Sequence, residues 1–326
     1  MDWKNKNITL YGGGLIGSGW AVYFIMKGWH NVTLYEPNEE GLARAKKMTR
    51  NGLEILIENG VILPEIAETG MDLINYTTDR KQALETADFV QENGPEDLAA
   101  RQSIIADIEA LCPENCIIAS STSSTPIWKM IEFAKNPRRI LGGHPYHPVY
   151  LMPLVEVVGS VFTDPAYIQE AKALYAEIGK APVVLKRESP GYIASRLMSA
   201  LYRECTSIVI NGIASMEDVD TAFCLGPGLR YALMGPNTVY QLAGGEKGIE
   251  GLLLGPIGNS GSENVTKCLA NWTEPPIDGT WYYLTLQQQM DELLAHRDEK
   301  HGRNNDEIER FRDAGLVKLL QHHGLL

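Results

Sequence analysis

Two residues twelve positions apart could act as a base and its supporting acid. His144 follows a predicted strand in the segment GGHPYHPV, and Glu156 lies within the apolar run LVEVV. An acid in such a run is costly to bury without a partner, and the histidine is the natural partner. A carboxylate fixes the tautomer of an imidazole and stabilises its protonated form, so the pair could take a proton from an alcohol. The alternative is that His144 only caps backbone groups at the end of its strand.

A second histidine gives this segment the spacing of a metal-binding pair. His144 and His147 form H-x-x-H, but no clear third ligand follows them. Glu156 would have to act as a ligand instead of the supporting acid. Removing hydride from an alcohol needs no metal, so we predict no metal at this site.

A glycine-rich turn near the start of the chain could bind a dinucleotide, the hydride acceptor of such a reaction. The residues from Gly12 to Gly17 fit G-x-G-x-x-G between an apolar run and a predicted helix. Gly12 would allow the tight turn, Gly14 would let a pyrophosphate approach, and Gly17 would let the helix pack on the strand. Leu15 and Ile16 open that helix, whose free N–H groups would face the phosphates.

The acid after the second predicted strand favours one cofactor over others. Glu36 stands 19 residues after Gly17, where a carboxylate accepts hydrogen bonds from the adenosine ribose hydroxyls. It would repel the 2′-phosphate of NADP, so NAD is the predicted cofactor. FAD uses the same fingerprint and is the rival cofactor. A glycine turn that binds no ligand is the simpler alternative.

Alternating strands and helices must position these residues. Apolar runs predict strands at Ile8–Tyr11, Asn31–Glu36, Phe89–Glu92, Ile117–Ser120, Arg139–His144, Val155–Gly159 and Pro182–Lys186. Their alternation with helical stretches predicts an α/β fold, a Rossmann domain with a mainly parallel sheet. Beyond about residue 188 the apolar residues recur at helical spacing and strand patterns become rare. We therefore expect an NAD-binding Rossmann domain over 1–188 and an all-α domain over 189–326.

The net charge of the chain disfavours two classes of binding partner. Among 326 residues, 41 are Asp or Glu and 29 are Lys or Arg, a formal net charge of −12. An acidic surface repels phosphate backbones and anionic lipids, so we expect neither nucleic acid nor a membrane as a partner. The five cysteines are scattered and the first residues are polar. No apolar run reaches the ~20 residues of a membrane span. A cytoplasmic protein is the expectation.

Four motifs, in this order along the chain, resemble one enzyme family. They are the glycine turn, SSTSS from Ser120, HPYHPVYLMPLVEVV from His144 and SPGYI from Ser189. Together they resemble the 3-hydroxyacyl-CoA dehydrogenase superfamily, and the similarity runs from about residue 7 to about residue 240. The motifs are much more specific than the glycine turn alone.

The resemblance implies a role for each matching residue. It implies that His144 is the general base, Glu156 its orienting acid and Ser123 the hydroxyl that bonds the reacting oxygen. Glu96 and Arg101 match a charged pair near the cofactor and the substrate entrance. The helical domain resembles the family's dimerisation domain, so a homodimer is expected. Ser123 could instead be a loop hydroxyl that satisfies backbone groups.

Two positions depart from the family pattern. The family has His-x-x-Asn-Pro, but His147 stands at the asparagine position here. The family also has Asn before an Arg in the first C-terminal helix, but here Ser195 precedes Arg196. Both asparagines normally hold substrate or cofactor oxygens. His147 and Ser195 could donate hydrogen bonds in their place and tailor the pocket to another substrate; weakened or lost activity is the alternative.

A later run resembles one branch of the superfamily. LGPGLRYALMGP, from Leu225 to Pro236, is similar to the branch that holds L-carnitine dehydrogenase, L-gulonate 3-dehydrogenase and lambda-crystallin. The run PVYLMPLVEVV is most similar to the carnitine enzyme. Members of this branch act on free hydroxy acids, whose carboxylate favours a guanidinium. Arg230 is the first candidate and Arg196 the second; a helix-end cation is the simpler role for Arg230.

The resemblance therefore implies NAD-dependent oxidation of a small 3-hydroxy acid to the 3-oxo acid. Two alternatives stay open: a 3-hydroxyacyl-CoA dehydrogenase that acts on a thioester, and a non-enzymatic NAD-binding protein of the lambda-crystallin kind. The missing asparagines disfavour the first. The presence of His144, Glu156 and Ser123 disfavours the second.

Overall fold

The structure is a computed structural model that describes residues 3–233, 235–243, 246, 288, 291–322 and 324–326. Its main feature is one eight-stranded sheet. Its strands within these residues are β1 Ile8–Tyr11, β2 Val32–Tyr35, β3 Ile74–Thr77, β4 Phe89–Glu92, β5 Ile117–Ser120, β6 Ile140–Pro145, β7 Leu154–Gly159 and β8 Ala181–Val184. The strand order is β3-β2-β1-β4-β5-β6-β7-β8. Strands β1 to β6 run parallel, β7 pairs antiparallel with β6, and β8 runs parallel to β7.

The predicted Rossmann architecture is confirmed. Every residue of β1, β4 and β5 is buried, as expected for parallel strands that are covered on both faces. The carboxyl ends of β1, β2, β4, β5 and β6 share one edge of the sheet, which is where ligands bind in such folds. The glycine turn follows β1, Glu36 follows β2, and the SSTSS and HPYHP segments begin at the ends of β5 and β6.

Helices connect the strands and continue beyond them. Their bounds are α1 Leu15–Met26, α2 Glu39–Glu58, α3 Pro64–Leu73, α4 Arg80–Leu84, α5 Leu98–Leu111, α6 Ile127–Met130, α7 Pro165–Glu177, α8 Ala194–Ile210, α9 Met216–Leu225, α10 Pro227–Leu233, α11 Pro236–Ala243 and α12 Asn305–His322. Asn38, Asp97 and Asp164 precede α2, α5 and α7, and each side chain accepts a first-turn backbone N–H. These caps fix where the helices begin.

The structure differs from the sequence-based expectations in two elements, β3 and α8, and adds one detail to the mainly parallel sheet. The edge strand β3 was not predicted, because only two of the four residues in INYT are buried. The last two strands reverse direction. Helix α8 begins at Ala194 and not near Pro190, since Gly191 and Tyr192 adopt left-handed backbone angles, with φ of 73° and 47°. Such angles form a turn and cannot start a helix.

Two compact units divide the chain. The first holds Met1–Arg196 together with Arg312–Leu326, and the second holds Leu197–Phe311. The C-terminal segment is therefore in the same unit as the sheet. Its Val317 and Leu320, on α12, are buried in the same apolar cluster as residues of β1 and α1. None of the described helices is long and apolar enough to cross a membrane.

Candidate active site

A histidine and a glutamate face each other across two neighbouring strands. β6 and β7 pair with His144 directly opposite Glu156, and opposed residues project from the same face of a sheet. His144 Nδ1 lies 2.9 Å from Glu156 Oε2. Only 8% of His144 and 1% of Glu156 is exposed. The structure therefore brings together the two residues that the sequence pattern paired.

Backbone donors hold the second oxygen of Glu156. Oε1 accepts hydrogen bonds from the N–H groups of Ile193 at 2.8 Å and Ala194 at 3.0 Å. Burial alone would raise the pKa of Glu156, but the hydrogen bonds from His144 and from these two amides outweigh it and hold the pKa below its ordinary value. Glu156 is therefore an ionised acceptor, and Nδ1 of His144 carries the proton.

His144 consequently presents its other ring nitrogen, Nε2, as a proton acceptor. Among the residues that the structure describes, none bonds to that atom. The ring of Tyr192 lies 5.4 Å from the imidazole and the ring of Tyr146 lies 6.4 Å from it, measured between centroids. An imidazole with a fixed tautomer and an open Nε2 has the geometry of a general base.

A strained turn places the backbone N–H groups of Ile193 and Ala194 next to Glu156. Tyr192 has a positive φ of 47°, which is unfavourable for a side chain of this size. The residue is nevertheless 4% exposed and packs in an apolar cluster with Ile127 and Val158. The packing holds the strained angle, and strain of this kind is common at functional sites. Sequence reasoning identified both the SPGYI motif and Glu156, but not the contact between them.

The glycine turn leaves space where a phosphate would approach. A Cβ on Gly17 would lie 1.8 Å from the carbonyl oxygen of Gly12, whereas a Cβ on Gly14 would meet nothing within 4 Å. Gly12 has a φ of 99°, which favours glycine. No side chain caps α1, so its first-turn N–H groups, including those of Leu15 and Ile16, can face a ligand. These residues fit a pyrophosphate.

Glu36 lies beside the glycine turn, one residue after β2. Its Oε1 accepts a hydrogen bond from the N–H of Gly13 at 2.5 Å. The side chain is half-buried, so the carboxylate is fixed in place at the strand end where ribose hydroxyls are bound in this fold. Its negative charge fits NAD and disfavours a 2′-phosphate.

Glu96 organises the hydroxyl-rich loop that follows β5. Its Oε1 accepts the backbone N–H of Ser123 at 3.0 Å and the Ser123 hydroxyl at 3.4 Å. Three neighbouring hydroxyl groups donate to Oε2. Burial would raise the pKa of Glu96, but the Ser123 amide and the Arg101 guanidinium outweigh it and lower the pKa. An ionised Glu96 therefore fixes the loop that carries Ser123.

Arg101 is enclosed by the protein and is only 2% exposed. Its Nη1 donates to Ser120 Oγ at 2.8 Å and to Glu92 Oε2 at 3.4 Å. Its Nε donates to the carbonyl of Pro95 at 2.8 Å, and Nη2 lies 3.1 Å from Glu96 Oε1. Because these contacts engage the guanidinium inside the protein, Arg101 acts on the strand edge indirectly, by holding Glu96 in place.

Sequence reasoning missed Glu92, the last residue of β4. It is fully buried, and its two oxygens accept hydrogen bonds of 2.5 Å from the Ser120 hydroxyl and the Gly94 N–H. The available signal was an acid in the apolar strand FVQE. The same signal pointed to Glu156.

The predicted substrate-binding residues are spread more widely. His147 follows β6 and is half-buried. Ser195 and Arg196 lie in the first turn of α8, where Arg196 Nη1 donates to Ser189 Oγ at 3.2 Å. Arg230 is exposed on α10, in the second compact unit. Over the described residues, no group of three or more metal-ligating side chains is found.

Two family models match consecutive parts of the chain. Residues 7–189 match the model described as 3-hydroxyacyl-CoA dehydrogenase, NAD binding domain. Residues 191–272 match 3-hydroxyacyl-CoA dehydrogenase, C-terminal domain. The first model alone covers more than half of the chain.

Two curated relatives are similar over nearly the whole chain. The chain is 35% identical to L-carnitine dehydrogenase of Streptomyces griseus over 325 residues, which cover 98% of this chain and 91% of that protein. It is 36% identical to L-carnitine dehydrogenase of Streptomyces coelicolor over 327 residues, 98% of this chain and 96% of the relative.

Two solved structures are also similar to this chain. A 5-formyl-3-hydroxy-2-methylpyridine 4-carboxylic acid 5-dehydrogenase, described as an NAD⁺-dependent dismutase, is similar with a TM-score of 0.76 and 27% identity, covering 98% of this chain and 97% of that chain. FadB2 of M. tuberculosis is similar with a TM-score of 0.65 and 29% identity, covering 73% of this chain and 82% of that chain.

Proposed function

Because the chain belongs to the 3-hydroxyacyl-CoA dehydrogenase family, we propose that it oxidises the hydroxyl of a small 3-hydroxy acid to the 3-oxo acid, as L-carnitine dehydrogenase does. It is an NAD-dependent dehydrogenase of the CH–OH group. The observation that carries the proposal is the buried His144–Glu156 pair, at the sheet edge where the glycine turn opens.

In this proposal each residue of the pair has one task. Nε2 of His144 takes the proton of the substrate hydroxyl, and Glu156 stabilises the imidazolium that results. Ser123 donates its hydroxyl to the reacting oxygen. Bound NAD would accept the hydride from the carbon that bears this hydroxyl. Loss of the proton from oxygen and of the hydride from carbon converts the alcohol to a ketone.

The cofactor would be held by the glycine turn and by two acids. Gly12, Gly14, Leu15, Ile16 and Gly17 would cradle the pyrophosphate with backbone N–H groups. Glu36 would accept the ribose hydroxyls. Glu96 would lie near the nicotinamide end, with Arg101 fixing it from within the protein.

A free hydroxy acid is the substrate class that we propose. The relatives that match along nearly the full chain are named for L-carnitine, a free acid. Its carboxylate would pair with Arg196 or Arg230. His147 and Ser195, which replace two family asparagines, would donate hydrogen bonds to substrate oxygens.

We also propose that the protein is a homodimer. The exposed apolar residues Leu197 and Leu201 on α8 support this proposal. We further propose that the enzyme acts in the cytoplasm.

The test is NADH formation with a panel of purified substrates: free carnitine, gulonate, 3-hydroxybutyrate and 3-hydroxybutyryl-CoA. We expect turnover of at least one free acid and little of the thioester. His144→Ala should lower kcat by at least ~10²-fold while NAD still binds. Turnover of the thioester alone would contradict the proposed substrate class. No turnover of any substrate would favour a structural protein that binds NAD.

A further inference from the structure

The loop between β6 and β7 joins the base to its supporting acid. This bridge loop, residues 146–153, begins just after His144 and leads into the strand that carries Glu156. It contains His147, and its first residue, Tyr146, has its ring 6.4 Å from the imidazole. Burial and the charge of Glu156 raise the pKa of Tyr146. The loop therefore borders the reacting pair, and its position determines where His147 lies.

Two contacts hold the loop against the Rossmann core. Helix α1, which begins at the glycine turn, touches it so closely that a Cβ on Gly19 would lie 3.0 Å from Val149. The Lys180 amino group donates to the carbonyls of Val149 and Met152, and it sits 3.6 Å from the centre of the Tyr23 ring. Lys180 is 6% exposed, and this burial lowers its pKa. The two carbonyls supply the acceptors that its buried N–H groups need.

A third contact comes from the far end of the chain. The hydroxyl of Tyr150 donates to Asp313 Oδ2 at 2.9 Å. Asp313 lies on α12 and is fully buried, and its other oxygen accepts the Nε of Arg312 at 2.8 Å. Residues 312–326 belong to the same compact unit as the sheet. The bond is thus a buried, charge-assisted link between α12 and the bridge loop.

One end of this link, Asp313, lies outside the part of the chain that the family models match, whereas Tyr150 lies within residues 7–189. The C-terminal model ends at residue 272, and α12 begins at Asn305. The family description therefore contains no equivalent of Asp313. Burying a carboxylate is costly unless its hydrogen-bonding partners compensate for the lost hydration. The partners of Asp313 are its neighbour Arg312 and the hydroxyl of the bridge loop.

We infer that Asp313, acting through Tyr150, is a positioning residue for substrate recognition. It fixes the bridge loop and thereby holds His147 in the orientation that contacts the substrate. Residues of α12 touch no reacting atom in this scheme. The inference rests on the proposed function for its kinetic consequence, while the fixing of the loop can be measured without any substrate.

The test compares Tyr150→Phe and Asp313→Asn with Tyr76→Phe, a control that removes a tyrosine hydroxyl on β3 whose partners are Met71 and Thr49. Hydrogen–deuterium exchange is followed in the full chain saturated with NAD. We expect the backbone amides of residues 149–152 to exchange about tenfold faster in both test variants, the factor that loss of one hydrogen bond to a charged group produces. The control should not change. Unchanged exchange in both test variants would overturn the inference.

Kinetics then separate positioning from general stability. Tyr150→Phe should raise KM for the hydroxy acid about tenfold and leave KM for NAD unchanged. In a His147→Ala background the same substitution should add no further increase, because the loop acts through His147. An equal rise in both KM values, or an additive effect in that background, would overturn the positioning role. Absence of turnover in the parent chain would contradict the proposed function, while the exchange data would still decide whether the loop is fixed.

Discussion

Two carboxylates are buried at the same edge of the sheet, and their surroundings lead to opposite properties. Glu92 ends β4 and Glu156 lies on β7, with 0% and 1% of the residue exposed. Each accepts hydrogen bonds on both oxygens. Around Glu92 the network ends on Arg101, whose donors all have acceptors. Around Glu156 the network ends on His144, whose Nε2 has no partner among the described residues.

The contrast shows which property makes a buried acid part of a reactive site. A guanidinium stays protonated and only donates, so the Glu92 network is closed and serves as a scaffold. An imidazole has two nitrogens, and fixing one of them leaves the other free to take a proton. Burial alone therefore does not identify a catalytic acid. What identifies it is a partner that can still change its protonation state.

The largest expected effect comes from Glu156→Gln. The amide oxygen would stay with the N–H groups of Ile193 and Ala194, because an amide nitrogen cannot accept from them. The amide NH₂ would then face Nδ1 of His144 and move the ring proton to Nε2. We expect kcat to fall by about 10²–10⁴-fold, with the Kd of NAD unchanged, measured by steady-state kinetics and NAD titration. A loss of less than about tenfold would mean that the carboxylate does not set the tautomer.

The matching change in the closed network is Arg101→Met. It leaves Glu92 buried without its cation, so the free energy of unfolding should fall by about 3–5 kcal/mol, measured by urea denaturation. The double variant Glu92→Gln with Arg101→Met should regain part of this loss, because both charges are removed. Activity per folded molecule should change far less than in Glu156→Gln. A large loss of kcat at unchanged stability would instead give Arg101 a direct role in the reaction.

A smaller effect is expected for Ser123→Ala. The Ser123 hydroxyl donates to Glu96 in the structure and would donate to the reacting oxygen in the proposed reaction. Removing one hydroxyl donor to the reacting oxygen should lower kcat about tenfold. Ser124→Ala is the matched control, since its hydroxyl also donates to Glu96, at 3.2 Å. Equal losses in the two variants would show that only the loop structure had been disturbed.

The smallest effect is the acid dependence of stability. The pKa of Glu156 is lowered on folding, so its contribution is present above its unfolded pKa and is lost as pH falls through the folded value. The difference in unfolding free energy between the parent chain and Glu156→Gln should therefore shrink as pH falls below about 4.3. One group changes this difference by at most about 1.4 kcal/mol per pH unit. A difference that stays constant down to acid pH would show that the carboxylate is not stabilised by its partners.

The sequence predicted those parts of the site in which a local pattern encodes the structure. The glycine turn and Glu36 are placed by one strand–helix–strand unit, and the structure sets them side by side. His144 and Glu156 lie on neighbouring strands joined by a short loop, so their register follows from the chain path. The Rossmann domain was predictable because the alternation of strands and helices along the chain is also a local pattern.

The remaining features depend on contacts that no local pattern encodes. Glu92 and Arg101 meet because a turn and a helix fold back over the strand end, and no local pattern encodes the pairing between them. Tyr150 and Asp313 are 163 positions apart. The edge strand β3 escaped prediction because its pairing with β2 stabilises a sequence with little strand character of its own. Tertiary context decides such cases.

The first compact unit is discontinuous in sequence, which affects how the chain matures. Its last strand, β8, ends at Val184, yet its apolar cluster still needs Val317 and Leu320. During synthesis the N-terminal part emerges first and folds first. It must wait with an open apolar surface until α12 leaves the ribosome. A nascent chain halted before residue 317 would therefore be a natural client for chaperones.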